Sequence, residues 1–167
     1  EPFRPQKIGG RLERGAMTQF HQTSWAQRFT QMGDQAEAVY EEVYGEESER
    51  FGFNRPCFPI INLPSALRYA PDYIHGQAPA RFVEVQGFSK SLKVKVEKLI
   101  GLGYWQTLLP VDLFFYSSDR DDHCEISLQG FLKLAGEHAT KGTYEDGSKP
   151  YLRLTPGVLP WGSDRAA

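Results

Sequence analysis

Two acidic side chains stand where short strands would bring them together. Asp72 follows Pro71 in Arg-Tyr-Ala-Pro-Asp-Tyr-Ile, and Glu84 comes twelve residues later, opening Glu-Val-Gln. The stretch between, His-Gly-Gln-Ala-Pro-Ala, has turn composition, while each flank has strand composition. Two adjacent strands joined by such a turn place both carboxylates at one end of a sheet. Carboxylates held a few ångströms apart repel each other, so a pair of this kind usually serves a cation. An oxygen-only donor set suits magnesium, with manganese as a substitute, and leaves positions for water and substrate phosphate. Strand alternation puts Phe82, Glu84 and Gln86 on one face and Arg81, Val83 and Val85 on the other. The Val85 carbonyl, at the strand's edge, is then a third candidate oxygen.

On Pro71, Asp72, Glu84, Val85 and Gln86 the chain resembles the PD-(D/E)XK nuclease superfamily. The last position of the triplet is glutamine instead of lysine, as in a minority of members that includes some restriction enzymes. Gly33-Asp34-Gln35-Ala36-Glu37 fits the glycine-x-x-x-glutamate start of the helix that often precedes the motif. The resemblance implies an α/β fold with a restriction-endonuclease-like core, a central mixed four- to five-stranded sheet flanked by helices. It implies a Mg²⁺-dependent deoxyribonuclease in which Asp72, Glu84 and the Val85 carbonyl hold the metal and Mn²⁺ can replace it. Glu37 would orient the helix side of the site or help hold a second ion. Gln86 would orient the attacking water, and Lys95 would supply the charge that glutamine lacks. Lys90, Lys93 and Lys95 would meet DNA phosphates. The small size, without a specificity domain, resembles phage or mobile-element nucleases of recombination, repair or DNA processing. Such enzymes work in the cytoplasm, the host's if phage-encoded, and many pair as homodimers to cut two strands.

Several elements must position these residues. A helical pattern covers residues 23–44, with Asp34 a candidate N-cap for a second helix and Ala36, Val39, Tyr40 and Val43 at core-facing spacing. Glu41 reads as solvated. Residues 67–74 and 80–86 read as the first and second core strands. Residues 89–108 read as the longest helix, with Leu92, Val96, Leu99, Ile100 and Gly103 forming its stripe. Lys90, Lys93, Lys95 and Lys98 surround that stripe, and a basic flank of this kind can meet phosphates. Residues 110–116 read as an apolar central strand, parallel to the second because a long helix separates them. Residues 125–135 read as a short helix or strand, 140–149 as turns, and 151–154 as an edge strand. Residues 1–20 read as an N-terminal tail, 21–160 as one domain and 161–167 as a C-terminal tail. Met17, after Gly-Ala, is a candidate true start with vector-derived residues before it.

Composition narrows the classes. The chain has 167 residues, 40% hydrophobic and 24% charged, in the range of one ordinary globular domain. Two cysteines, Cys57 and Cys124, are too few for a disulfide framework and favour a reduced, intracellular setting. No apolar run is long enough to cross a membrane, and the polar N-terminus lacks a signal-peptide core. The net charge of −2 argues against non-specific wrapping of DNA but not against a nuclease whose acids are offset by a bound cation. The four histidines are scattered, and His75 reads as an exposed turn residue. Two alternatives compete with hydrolysis. One is a nuclease-fold module that binds nucleic acid or a protein partner without cutting. The other is a structural domain in which Asp72 and Glu84 make ion pairs with Arg68 and Arg81.

Overall fold

A computed structural model describes residues 25–53, 62–145, 147 and 149–162. Residues 1–31 and 32–167 form two separate units. The first contributes only the opening of helix α1 (Trp25–Tyr44) to the described residues.

The strongest strand sequence in the chain, Arg-Phe-Val-Glu-Val-Gln-Gly-Phe, forms β3 (Arg81–Phe88). Its two faces serve two cores. Phe82 and Phe88 join Leu113, Phe115, Phe131 and Trp161 on one side, while Val83 and Val85 join Ala36, Tyr40, Phe114 and Tyr116 on the other. Such double burial selects β-branched and aromatic residues and explains the near-continuous apolar run of β5 (Val111–Ser117). β3 and β5 pair in parallel, Glu84 opposite Leu113 and Gln86 opposite Phe115. The sheet runs β1-β2-β3-β5-β6, with β1 (Ser48–Arg50), β2 (Tyr73–His75) and β6 (Asp122–Ser127) antiparallel to their neighbours. The expected α/β architecture, a five-stranded mixed sheet flanked by helices, is therefore what forms.

The connection from β3 to β5 differs from the single helix read from residues 89–108. It holds a strand, β4 (Leu92–Lys95), followed directly by helix α3 (Val96–Trp105). Leu-Lys-Val-Lys alternates with period two, burying Leu92 and Val94 and exposing Lys93. That alternation coincides with a helical stripe for one turn, and pairing with another strand decides between them. The partner is β8 (Pro150–Leu154), which lies between β4 and β7 (Thr140–Thr143) in a second, three-stranded sheet. The stretch read as an edge strand is thus this sheet's centre, and part of the stretch read as turns is its edge.

Other boundaries shift for local reasons. Residues 67–74 are not one strand. A short helix, α2 (Ser65–Arg68), starts after Pro64, and pairing begins only at Tyr73, past Pro71, which has no N–H to give a ladder. The Trp105 indole N–H donates to the Ala66 carbonyl at 2.8 Å and holds α2 against α3. α1 runs through Gly33-Asp34 without a break. Ala36 and Tyr40 are buried as expected, but Val43 is 45% exposed. Residues 125–135 divide between β6 and helix α4 (Leu128–His138), whose N-cap Ser127 accepts from the Gly130 N–H at 3.0 Å. Cys124 is buried, while Cys57 falls outside the described residues.

Trp161, read from sequence as tail, is 1% exposed and donates its indole N–H to the Pro156 carbonyl at 2.7 Å. Its ring meets Phe88 at the end of β3. Trp161→Ala is expected to cost about 3–5 kcal/mol, as truncation of a buried tryptophan does. Val43→Ala, at an exposed position, should stay within about 0.5 kcal/mol. Urea unfolding of the two variants checks the contrast.

Candidate active site

Asp72 is set by backbone before its side chain does anything. Its carbonyl accepts from the N–H groups of Phe51 (2.8 Å) and Gly52 (3.2 Å), which follow β1. Gly52 is required there, since a Cβ would stand 2.5 Å from the Pro71 carbonyl oxygen. The β2–β3 ladder ends at the Tyr73–Val83 pair, so beyond it β3 presents an open edge. The Asp72 carboxylate fills that edge by accepting the Val85 N–H at 2.9 Å. In a strand a residue's N–H and C=O face the same neighbour. The Val85 carbonyl therefore faces the Asp72 side too.

Glu84 stands on the core-facing side of β3 and is 4% exposed. The Lys98 ammonium, from the first turn of α3, donates to its Oε1. Two carboxyl groups and one ammonium thus share a partly buried site, which would carry a net charge of −1 with both acids ionised. Burial, and then the Asp72 charge, push the Glu84 carboxyl up to about 8, against the pull of Lys98. Burial also raises Asp72, with Lys98 and the Val85 N–H opposing. Burial alone would depress Lys98, but Glu84 and Asp72 hold it above the ordinary lysine value. No group of three His, Cys, Asp or Glu side chains suited to a metal occurs among the described residues. Two carboxylates with one carbonyl do match what Mg²⁺ takes from protein when waters and phosphates complete its shell. The surplus negative charge is the physical reason a cation would be welcome here.

The remaining expected residues scatter around this centre. Glu37 lies on α1 and accepts from Arg50 at 2.5 Å. Arg50 also donates to the Tyr73 hydroxyl at 2.6 Å, and that hydroxyl donates to Glu41 at 2.6 Å. Glu37 is near enough to raise Asp72 by its charge, though its direct partner is Arg50. Glu41 is exposed, as read, and joins the same network through the Tyr73 hydroxyl. Gln86 shares Glu84's face and donates its amide to the Lys93 carbonyl at 2.9 Å. Lys90 and Lys93 are exposed. Lys95, expected to supply the charge that Gln86 lacks, lies over the Tyr144 ring, 5.8 Å from its centre. The lysine that reaches the acids is Lys98. Lys95 ends β4 on its outward face, and the change from strand to helix swings the next lysine inward.

Other expectations are corrected. Glu84 does have an ion-pair partner, but it is Lys98, while Arg81 reaches Asp112 (2.9 Å) and Glu125 (3.3 Å) on the sheet's opposite face. Arg68 donates to the Leu63 carbonyl. His75 is buried, with Nε2 3.2 Å from Glu47 and Nδ1 3.2 Å from the Ser48 hydroxyl.

No family model matches the chain, and no curated protein matches it. Among solved structures the fold is similar to that of Archaeoglobus fulgidus Hjc, a Holliday junction resolvase from an archaeal hyperthermophile. The identity is 12%, the match covers 77% of this chain and 87% of that one, and the TM-score is 0.44. A likeness that slight decides nothing about chemistry, which must stand on the side chains.

The buried acid makes stability depend on pH. Glu84 is protonated in the folded state up to about pH 8 but titrates near the ordinary glutamate value of 4.5 when unfolded. Between those values the native state binds more protons, so stability falls as pH rises. Asp72 is shifted the same way and steepens the fall. In EDTA, the melting temperature should drop between pH 5 and 8.5, and Glu84→Gln should flatten the slope. A wild-type melting temperature unchanged over that range would contradict the buried acid pair.

Proposed function

We propose that this chain is a metal-dependent nuclease that hydrolyses DNA phosphodiester bonds in recombination, repair or DNA processing. One observation carries the reading: the buried Glu84 carboxylate of β3 and the half-buried Asp72 carboxylate just before β2 meet beside a single helix lysine. The resemblance to the PD-(D/E)XK superfamily supports it, on Pro71, Asp72, Glu84, Val85 and Gln86. Asp72, Glu84 and the Val85 carbonyl would hold Mg²⁺, or Mn²⁺ in its place. Bound there, the cation would supply Lewis-acid charge to the scissile phosphate and acidify water.

The chain's own groups divide the rest. Asp72 and Glu84 must both be ionised to hold a cation, so loading releases the proton that Glu84 otherwise retains. With the cation as counter-charge to the ionised Glu84, the Lys98 ammonium would be able to donate to a phosphate oxygen as charge develops there. This is the role that a triplet lysine fills in the resembled family and that Gln86 cannot fill. The Gln86 amide N–H₂ is fixed to the Lys93 carbonyl, which leaves its oxygen to accept a hydrogen bond from the attacking water. Glu37 acts through Arg50, which braces Tyr73 beside Asp72. Lys90 and Lys93, both exposed, supply sequence-independent phosphate contact. A homodimer in the cytoplasm would present two such sites to two strands.

The test is a metal-dependent cleavage panel on plasmid, single-stranded and branched DNA. Asp72→Asn and Glu84→Gln should abolish Mg²⁺-dependent cutting with the fold intact by circular dichroism. Lys98→Met should lower kcat about 10²- to 10³-fold, the loss typical of one group that stabilises developing charge, and Gln86→Lys should keep or raise activity. Full activity in either carboxylate variant would overturn the assignment. Mg²⁺ binding with no cleavage by the wild type would point to a binding module.

A further inference from the structure

The second sheet, β4-β8-β7, is built unlike the rest of the molecule. Its inner face packs Leu92, Val94, Leu152 and Leu154 into the main core. Its three strands carry four basic side chains, Lys93, Lys95, Lys141 and Arg153, and no acidic one, in a chain whose net charge is −2. Register places Lys93 opposite Arg153 and Lys95 opposite Tyr151 on the outer face.

Two aromatic rings occupy that face. Tyr151 lies across β7 where Gly142 leaves room, and a Cβ at Gly142 would stand 2.6 Å from the Tyr151 ring. The glycine thus lets the ring settle onto the sheet and fixes its orientation. Tyr144 packs against it, with centroids 4.8 Å apart. Lys93 lies over Tyr151 at 5.1 Å and Lys95 over Tyr144 at 5.8 Å. The face is therefore a pair of held aromatic rings under two ammonium groups, with Arg153 exposed beside them.

We propose that this outer face is a docking platform for an unpaired DNA strand, on which Tyr144 and Tyr151 stack bases while Lys93, Lys95 and Arg153 take the phosphates. Duplex DNA buries its base faces in its own stack, so aromatic rings on an open sheet serve single strands. Base stacking is worth more than an exposed cation–π contact. A base therefore displaces each lysine from its ring, and the freed ammonium goes to the backbone. The platform adjoins the acid pair. Gln86, two residues from Glu84, bonds the Lys93 carbonyl of β4, and β4 leads directly into the helix that carries Lys98. Lys98 is also close enough to Tyr144 to oppose, by its charge, the burial that raises that hydroxyl's pKa. The inference rests on the nuclease reading and names its substrate as a strand that is single at the point of contact.

Binding measured in EDTA separates the two readings, because nothing is cut. Fluorescence anisotropy with a labelled 15-mer should show tighter binding of the single strand than of the same sequence as duplex. Tyr144→Ala should weaken single-strand binding roughly 5- to 100-fold, the loss typical of one stacked base, and leave duplex binding unchanged. Tyr144→Phe should retain it. Tyr151→Leu, which still covers Gly142, should act like Tyr144→Ala without unfolding the sheet. Equal affinity for the two DNA forms, or no effect of either tyrosine variant, would overturn the platform. Cleavage by the wild type alongside that null result would leave the nuclease reading standing. Strong single-strand binding by a protein that cuts nothing would sink the nuclease reading alone.

Discussion

A buried carboxylate and a half-buried one set against one ammonium form the constraint on which the molecule turns. Each charge loses its hydration on burial, and one lysine cannot compensate two acids. The fold tolerates the deficit through specific devices. The Val85 N–H satisfies Asp72 Oδ2. Backbone donors from Phe51 and Gly52 lock the Asp72 main chain. Glu84 escapes the remaining repulsion by keeping a proton well above the usual carboxylate range. A site arranged this way is worse as plain structure than an apolar core of the same shape would be. The arrangement makes physical sense when something positively charged comes to it.

The elements follow from holding that trio. β3 has to be buried on both faces so that Glu84 has no route to water, and Phe82 and Phe88 flank it on the same side. Gly87 lets α1 approach from the other face, since a Cβ there would meet the Met32 carbonyl oxygen at 2.0 Å. β2 must end at Tyr73 so that Asp72, instead of another backbone residue, fills the edge of β3. α3 must begin immediately after β4 so that its first turn brings Lys98 over the strand. Arg50 and Tyr73 brace the far side, tying β1 and β2 to α1 through Glu37 and Glu41.

The acid pair was legible in the sequence because period-two alternation is short-range. Glu-Val-Gln on a strand with flanking valines fixes which face Glu84 takes, and Pro71 marks where β2 cannot pair. The parallel β3–β5 pairing was legible for a topological reason, since the intervening segment is too long for a hairpin. What could not be read was set by partners remote in sequence. Leu92-Lys93-Val94-Lys95 is compatible with helix or strand until β8, almost sixty residues on, supplies hydrogen bonds. Trp161 looks like a tail until the end of β3 offers Phe88 to its ring. His75 looks like an exposed turn residue until β1 provides Ser48 and the preceding turn provides Glu47.

The junction of β4 and α3 shows how one element boundary decides what each lysine can do. On a continuous helix, each residue advances about 100°, and Lys95 and Lys98 would share a flank. On a strand, successive side chains alternate by 180°, so Lys93 and Lys95 both point outward on one face while Leu92 and Val94 point in. The switch to helix at Val96 resets the phase, and Lys98 arrives on the inward side beside Glu84. One cluster of four lysines thereby splits into two jobs. Lys93 and Lys95 become the charged cover of an aromatic sheet face, and Lys98 becomes the counter-ion of the acids. Gln86 carries no charge and bonds the Lys93 carbonyl, so the ammonium beside the acids comes from the helix. What the site requires is an ammonium near the two carboxylates, and the backbone that delivers it is free to vary.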